Sequence, residues 1–264
     1  MSSHRFIVQT LGLAGGTAAL VFSVMVAQGL YLNKITPRFA PPDDPTEGVI
    51  GEGEPAFRVV LLGESPVAGV GAPSHPQALS GTVATMLSQE LGSAVAWRAI
   101  GKNGVTAATC TQQLVPHLEG ERPDVMVVVI GTNDVMLLTR LGKWTADARR
   151  MLAEVRAHVG PEVPILFSGV PPMGAFPAFR LPLRAFVQAR SRLLDWALRR
   201  VVLEDDNAWH APLPNTGVKA YFCSDRFHPS PMGYAAWAEA LRPTARLVIN
   251  AALARRQRQG ATGA

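Results

Sequence analysis

A serine at position 65 ends an apolar run and is followed by proline, in Leu62-Gly63-Glu64-Ser65-Pro66. At a strand-to-helix turn such a hydroxyl has two uses. It can cap a helix that the proline begins, or, with a base beside it, attack a carbonyl. Far downstream, Ser224-Asp225-Arg226-Phe227-His228-Pro229 sets a carboxylate three residues ahead of an imidazole. Within one turn Asp225 can receive the Nδ1–H of His228 and leave Nε2 as a base. Between these ends lie two polar stretches. Gly104, in Gly101-Lys102-Asn103-Gly104-Val105-Thr106, leaves a backbone N–H open to approach. Asn133, in Ile130-Gly131-Thr132-Asn133-Asp134, can cap a turn or donate to a ligand. Singly, each feature is ordinary. A nucleophile, a base, an orienting acid and two polar donors at strand ends form a combination that chance seldom supplies.

The elements that must hold these residues read as alternating strands and helices. Apolar runs Phe57 to Leu62, Ala94 to Arg98, Val125 to Ile130 and Val163 to Phe167 alternate with helical stretches Ala78 to Leu91, Thr106 to Leu118, Thr145 to Val159 and Leu183 to Val202. Fully apolar strands between helices imply a parallel sheet covered on both faces. Val125 to Ile130 has no polar residue and is expected at the centre. Asn207 to Pro212 supplies a fifth strand, and Ser230-Pro231 starts a final helix reaching Leu253. In such a sheet ligands sit beyond the carboxyl ends of the strands, where all four polar blocks fall.

These blocks resemble the SGNH (GDSL-type) hydrolases, which carry a Gly-Asp-Ser block, a later glycine, a Gly-x-Asn-Asp block and an Asp-x-x-His block in this order. The likeness runs from Gly63 to His228. It implies a three-layer α/β/α flavodoxin-like sandwich around a central parallel sheet of about five strands. It also implies a serine esterase acting on lipid or glycan esters, with Ser65 as nucleophile, His228 as general base and Asp225 as its partner. Gly104 and Asn133 would donate to the oxyanion together with the Ser65 N–H. Glu64 departs from the family's usual Asp: the carboxylate is kept on a longer arm, so its hydrogen bonds must be re-aimed. An acyltransferase would use the same residues, passing the acyl group to an alcohol instead of water; a catalytically silent binding module is the remaining reading.

No Gly-x-Ser-x-Gly elbow surrounds Ser65, which argues against the α/β-hydrolase fold. No metal motif, phosphate loop or dinucleotide fingerprint is present, so neither cofactor nor metal is expected. The formal net charge of +5 is spread over scattered arginines without interleaved aromatics, which speaks against nucleic acid. Two cysteines, Cys110 and Cys223, are too few for a disulfide scaffold; buried free thiols are the simpler reading and a bridge the other. After the fourth strand, Gly169 to Phe179 is expected to overhang the same sheet edge, with Pro172 and Met173 as substrate-binding candidates.

From Phe6 to Asn33 no residue is charged. Such a stretch is long enough to cross a bilayer core of roughly 30 Å and longer than the usual apolar region of a cleaved signal peptide. Residues 1–33 are therefore expected to be a transmembrane signal anchor, with the amino terminus inside and an extracytoplasmic catalytic domain, secreted if the segment is cut. A Pro/Gly-rich linker is expected over residues 34–55, the catalytic domain over 56–254 and a flexible basic tail over 255–264.

Overall fold

Six short runs form strands: β1 (Glu47–Ile50), β2 (Phe57–Gly63), β3 (Val95–Gly101), β4 (Val125–Val129), β5 (Ile165–Ser168) and β6 (Ala208–Ala211). The computed structural model describes residues 19–32, 34, 37 and 39–262. Among the described residues seven α-helices accompany the strands: α1 over residues 19–32, then α2 (Leu79–Leu91), α3 (Ala107–Gln113), α4 (Thr132–Met136), α5 (Leu141–Val159), α6 (Leu183–Val202) and α7 (Pro231–Thr262). The sheet order is β1-β3-β2-β4-β5-β6. All pairings are parallel except β1 with β3.

The two-residue repeat of the central strands builds two cores at once. Val60 and Leu62 of β2, with Met126 and Val128 of β4, face one apolar cluster shared with α3, α5 and α6. Val59 and Leu61, with Val125, Val127 and Val129, face the other, shared with α2 and α7. Every residue of β4 is buried, as expected of a strand sandwiched between helical layers. The three-layer α/β/α sandwich expected from the sequence is thus the observed one.

Two glycines let the first catalytic loop press against the sheet. A β-carbon at Gly63 would lie 2.0 Å from the Val129 carbonyl oxygen, and one at Gly101 would lie 2.2 Å from the Ala68 amide nitrogen. The loop that follows β2 therefore turns directly over the ends of β3 and β4.

Three expectations are corrected. First, the sheet has six strands, because the segment expected to be a free linker contributes β1. Residues 47–50 have no strand-like alternation, but β3 offers an open edge and Gly48 lets the backbone pass close over the Trp97 ring, 3.1 Å from where a β-carbon would stand. Asp44 fastens the same segment by accepting from the His75 N–H at 3.0 Å and meeting His75 Nδ1 at 2.8 Å. Second, the tail expected to be flexible continues α7 through Thr262. Arg256 Nε donates to Asp124 Oδ1 at 2.6 Å, and Arg255 lies 3.6 Å from the same oxygen, so the basic residues have a buried partner at the start of β4.

Third, the expected transmembrane helix is overturned: among the described residues no helix is long and apolar enough to cross a membrane. The first part of that expected segment, residues 1–18, lies outside the described residues. The α1 helix packs on the domain instead. Met25 and Leu32 lie against the α5/α6 core, and the Gln28 side chain donates to the Leu181 carbonyl at 2.8 Å and accepts from the Leu183 N–H at 3.3 Å.

Candidate active site

The chain leaves β2 in a tight turn. Glu64 N–H donates to the Val129 carbonyl at 3.1 Å, and the Glu64 carbonyl accepts from Val67 and Ala68 at 2.9 and 3.1 Å. Ser65 stands on this turn, 5% exposed. Among the described residues neither its N–H nor its hydroxyl has a hydrogen-bond partner. The turn is braced from beneath by the Tyr234 hydroxyl of α7, which donates to the Val70 carbonyl at 2.6 Å.

Asp225 and His228 share the loop before α7. His228 Nδ1 lies 2.6 Å from Asp225 Oδ2, while Asp225 Oδ1 accepts from the N–H groups of Phe227 at 2.9 Å and His228 at 3.0 Å. The Asp225 side chain is fully buried. Burial pushes its carboxyl upward, but the hydrogen bonds from His228 and from the Phe227 N–H outweigh that and hold it below the ordinary value. With Nδ1 committed to the carboxylate, Nε2 is the nitrogen left for another partner. The Phe227 ring stands edge-on to the imidazole at 5.2 Å between centroids.

The serine loop and the histidine loop meet at Gly71. A β-carbon there would lie 2.6 Å from the Pro229 carbonyl oxygen, 2.8 Å from Cys223 Sγ and 3.5 Å from His228 Cβ. Cys223 Sγ also donates to the Gly71 carbonyl at 3.2 Å. Among the described residues no hydrogen bond joins the Ser65 hydroxyl to His228. Such contacts are often long in an unliganded enzyme and tighten when substrate binds.

Asn133 sits in the first turn of α4, beyond the end of β4, and its amide nitrogen is engaged twice. Nδ2 donates to Glu64 Oε2 at 2.7 Å and to the Val105 carbonyl at 3.0 Å. Glu64 also accepts from the Thr132 N–H at 2.9 Å and the Asn133 N–H at 3.1 Å. Burial pushes the Glu64 carboxyl up to about 7, against these donors, which pull it down. The longer arm of Glu64 thus holds both the backbone entry to α4 and the amide of Asn133. Asp134, one residue on, accepts from the Ala107 N–H at 2.9 Å and the Thr139 hydroxyl at 2.8 Å, tying α3 to α4. These positioning roles escape sequence reading, although the adjacency of Glu64 to Ser65 and of Asp134 to Asn133 is their signal. Gly104 is exposed with φ +82°, and a β-carbon there would meet nothing within 4 Å. Its N–H has no partner among the described residues.

Of the two substrate-binding candidates, Pro172 lines a cavity of about 490 Å³, with Phe176, Leu213, Phe222, Pro229 and Trp237 among its walls. Met173 is fully buried in the α5/α6 core and is not presented to that cavity. Its N–H donates to the Ser191 hydroxyl at 3.3 Å and its carbonyl accepts from the Phe176 N–H at 3.1 Å, while its side chain belongs to that core. Both cysteines are free thiols. Cys110 is buried in α3, where desolvation pushes it up to about 12, and Cys223 stands in the loop against Gly71.

The GDSL-like lipase/acylhydrolase family model matches residues 61–236. The GDSL-like esterase Rv1075c of Mycobacterium tuberculosis is 26% identical over 248 residues, covering 86% of this chain and 77% of that protein. A Clostridium thermocellum family 3 carbohydrate esterase superposes with a TM-score of 0.58 at 16% identity, covering 74% of this chain and 98% of the other. A family 3 carbohydrate esterase from Talaromyces cellulolyticus gives 0.56 at 17% identity, with 74% and 98% covered. At such identities these structures speak for the fold alone. With the family model spanning the chain from β2 into α7, this protein belongs to the GDSL-like lipase/acylhydrolase family and is a hydrolase of ester bonds.

Proposed function

We propose that the chain hydrolyses carboxylic esters through a Ser65-His228-Asp225 triad and an acyl-enzyme. The reading rests chiefly on one observation: the buried Asp225 orients His228 through a 2.6 Å contact, and their loop packs against the loop that carries Ser65. In the first step His228 Nε2 takes the Ser65 proton as the hydroxyl oxygen attacks the ester carbonyl carbon. The carbonyl oxygen gains negative charge, which the N–H groups of Ser65 and Gly104 are free to meet. Asn133 joins them by sharing an amide hydrogen now directed at Glu64 or Val105. The imidazolium then protonates the departing alcohol. Water, deprotonated by the same imidazole, attacks the acyl-enzyme and releases the acid.

The cavity lined by Pro172, Phe176 and Trp237 adjoins Pro229, the residue after the base, and its apolar walls suit an acyl group of short or medium length. Acyl esters of lipids and acetyl esters of glycans both have acyl parts that fit it. The carbohydrate esterases among the similar structures favour testing glycan esters as well as simple ones.

The test is hydrolysis of p-nitrophenyl esters of graded chain length by the purified chain and by Ser65→Ala, together with labelling by a fluorophosphonate. Turnover that vanishes with the hydroxyl, and a label retained only by the parent chain, are expected. A Ser65→Ala variant that keeps its turnover would overturn the assignment. Product analysis with a sugar acceptor separates hydrolysis from acyl transfer.

A further inference from the structure

Beside the catalytic loop lies a second, more polar concavity of about 640 Å³. Its walls come from three segments: α1 with Tyr31, the stretch after β5 with Arg180, and the catalytic loop with Ser224, Asp225 and Arg226. The two arginines are held in one frame, because the Ala178 N–H donates to the Arg226 carbonyl at 3.2 Å. Arg226 has φ +61°, in the left-handed region that residues with a β-carbon seldom adopt. Neither guanidinium has an ion pair or hydrogen bond among the described residues. Most other arginines here are spoken for: Arg58 and Arg98 share Glu121, Arg149 has Glu204, Arg156 has Asp205, and Arg242 and Arg246 share Glu90.

Among the described residues the one carboxylate lining this concavity, that of Asp225, makes no ion pair with either arginine. Asp225 is buried, with Oδ2 engaged by His228 Nδ1 and Oδ1 by two backbone N–H groups. Two permanently charged, forked donors therefore face a common space large enough for an oxyanion and what it is attached to. The α1 helix encloses this space through Gln28, whose side chain bridges Leu181 and Leu183, so the wall is fastened to the segment that carries Arg180.

We infer that Arg180 and Arg226 form an oxyanion site for a phosphate- or carboxylate-class group beside the catalytic base. This deepens the esterase reading and rests on it for the role of the neighbouring loop. The anion has two possible sources, a charged group of the ester substrate or a free anion.

The experiment uses the full chain and its Arg180→Gln/Arg226→Gln variant, with inorganic phosphate as probe in calorimetry, and with p-nitrophenyl butyrate and p-nitrophenyl hemisuccinate as neutral and anionic esters of similar size. Phosphate affinity is expected to drop about tenfold or more in the variant. If the substrate carries the anion, the kcat/KM ratio of hemisuccinate over butyrate falls by a similar factor and phosphate inhibits competitively against hemisuccinate. If the anion is free, the ratio stays and inhibition is not competitive. Phosphate binding that is absent from the parent chain, or equal in the two proteins, overturns the site. Should the double variant fail to fold, Arg180→Gln alone, at an exposed position, gives the same readout at reduced size. Butyrate hydrolysis by the parent chain and its loss in Ser65→Ala report the esterase reading separately.

Discussion

The chemistry rests on a few atoms whose contributions can be separated by substitution. Removing the nucleophile in Ser65→Ala should lower kcat about 10⁴-fold or more in a p-nitrophenyl butyrate assay. Asp225→Asn keeps the shape of the loop but offers a donor to His228 Nδ1, so the imidazole is held in the wrong tautomer; a loss of about 10⁴-fold in kcat is expected. Asn133→Ala tests the shared amide, with an expected fall of about 10²–10³-fold if it meets the oxyanion. A variant with undiminished kcat would leave that work to the N–H groups of Ser65 and Gly104.

Glu64 and Asp225 carry opposite pH signatures. Asp225 is held below its ordinary value, so its contribution to stability is present above pH 3.8 and is lost as pH falls through the lower folded value. Glu64 is raised from 4.5 to about 7, so the folded state binds its proton more tightly; that contribution is full below pH 4.5 and disappears as pH rises through about 7. Integrated over that window it amounts to at most about 3 kcal/mol. Denaturant midpoints measured from pH 5 to 8 should therefore decline in the parent chain, and the decline should flatten in Glu64→Gln. Equal slopes in the two proteins would show that the donors of Thr132 and Asn133 offset burial completely.

At the scale of the elements, the site depends on strands ending where loops can close over them. Gly63→Ala would drive a methyl group to 2.0 Å from the Val129 carbonyl oxygen, between two central strands with no flexible side chain to yield. A loss of about 3 kcal/mol or more, or failure to fold, is expected by chemical denaturation. Asp134→Ala removes the acceptor of the buried Ala107 N–H at the start of α3 and of the half-buried Thr139 hydroxyl. A cost of about 1–3 kcal/mol follows from leaving such donors unpaired, and kcat should fall with it because α4 carries Asn133.

Over the whole molecule, the segment before β2 wraps the domain and is pinned at separate points. Asp44 holds His75, the Thr46 carbonyl accepts from the Ala99 N–H at 2.7 Å, and β1 pairs with β3. Asp44→Ala should release the first of these, which limited proteolysis would report as faster cleavage within residues 39–46 while the core of the domain stays resistant. Unchanged cleavage would assign the pinning to β1 and Thr46 alone.

The amino-acid sequence by itself determined the local pieces of this protein. Short, β-branched apolar runs such as Val125 to Val129, set between helical stretches, read as strands covered on both faces, and the spacing of Asp225 and His228 brings their side chains together within a single loop, because three residues of chain leave little freedom. Strand-helix alternation carried the three layers, and the order of the polar blocks carried the family. Only the tertiary structure decided what depends on distant segments meeting. Residues 47–50 became a strand because β3 had an open edge and Trp97 left room over Gly48, neither of which is written in their own composition. The apolar stretch before them reads as a membrane span from hydropathy alone, yet its described part docks on the α5/α6 core through Met25, Leu32 and Gln28. The engagement of Asn133 by Glu64, the inward turn of Met173 and the shared space of Arg180 and Arg226 arise from loops converging at one sheet edge, a relation between segments that periodicity within each of them does not encode.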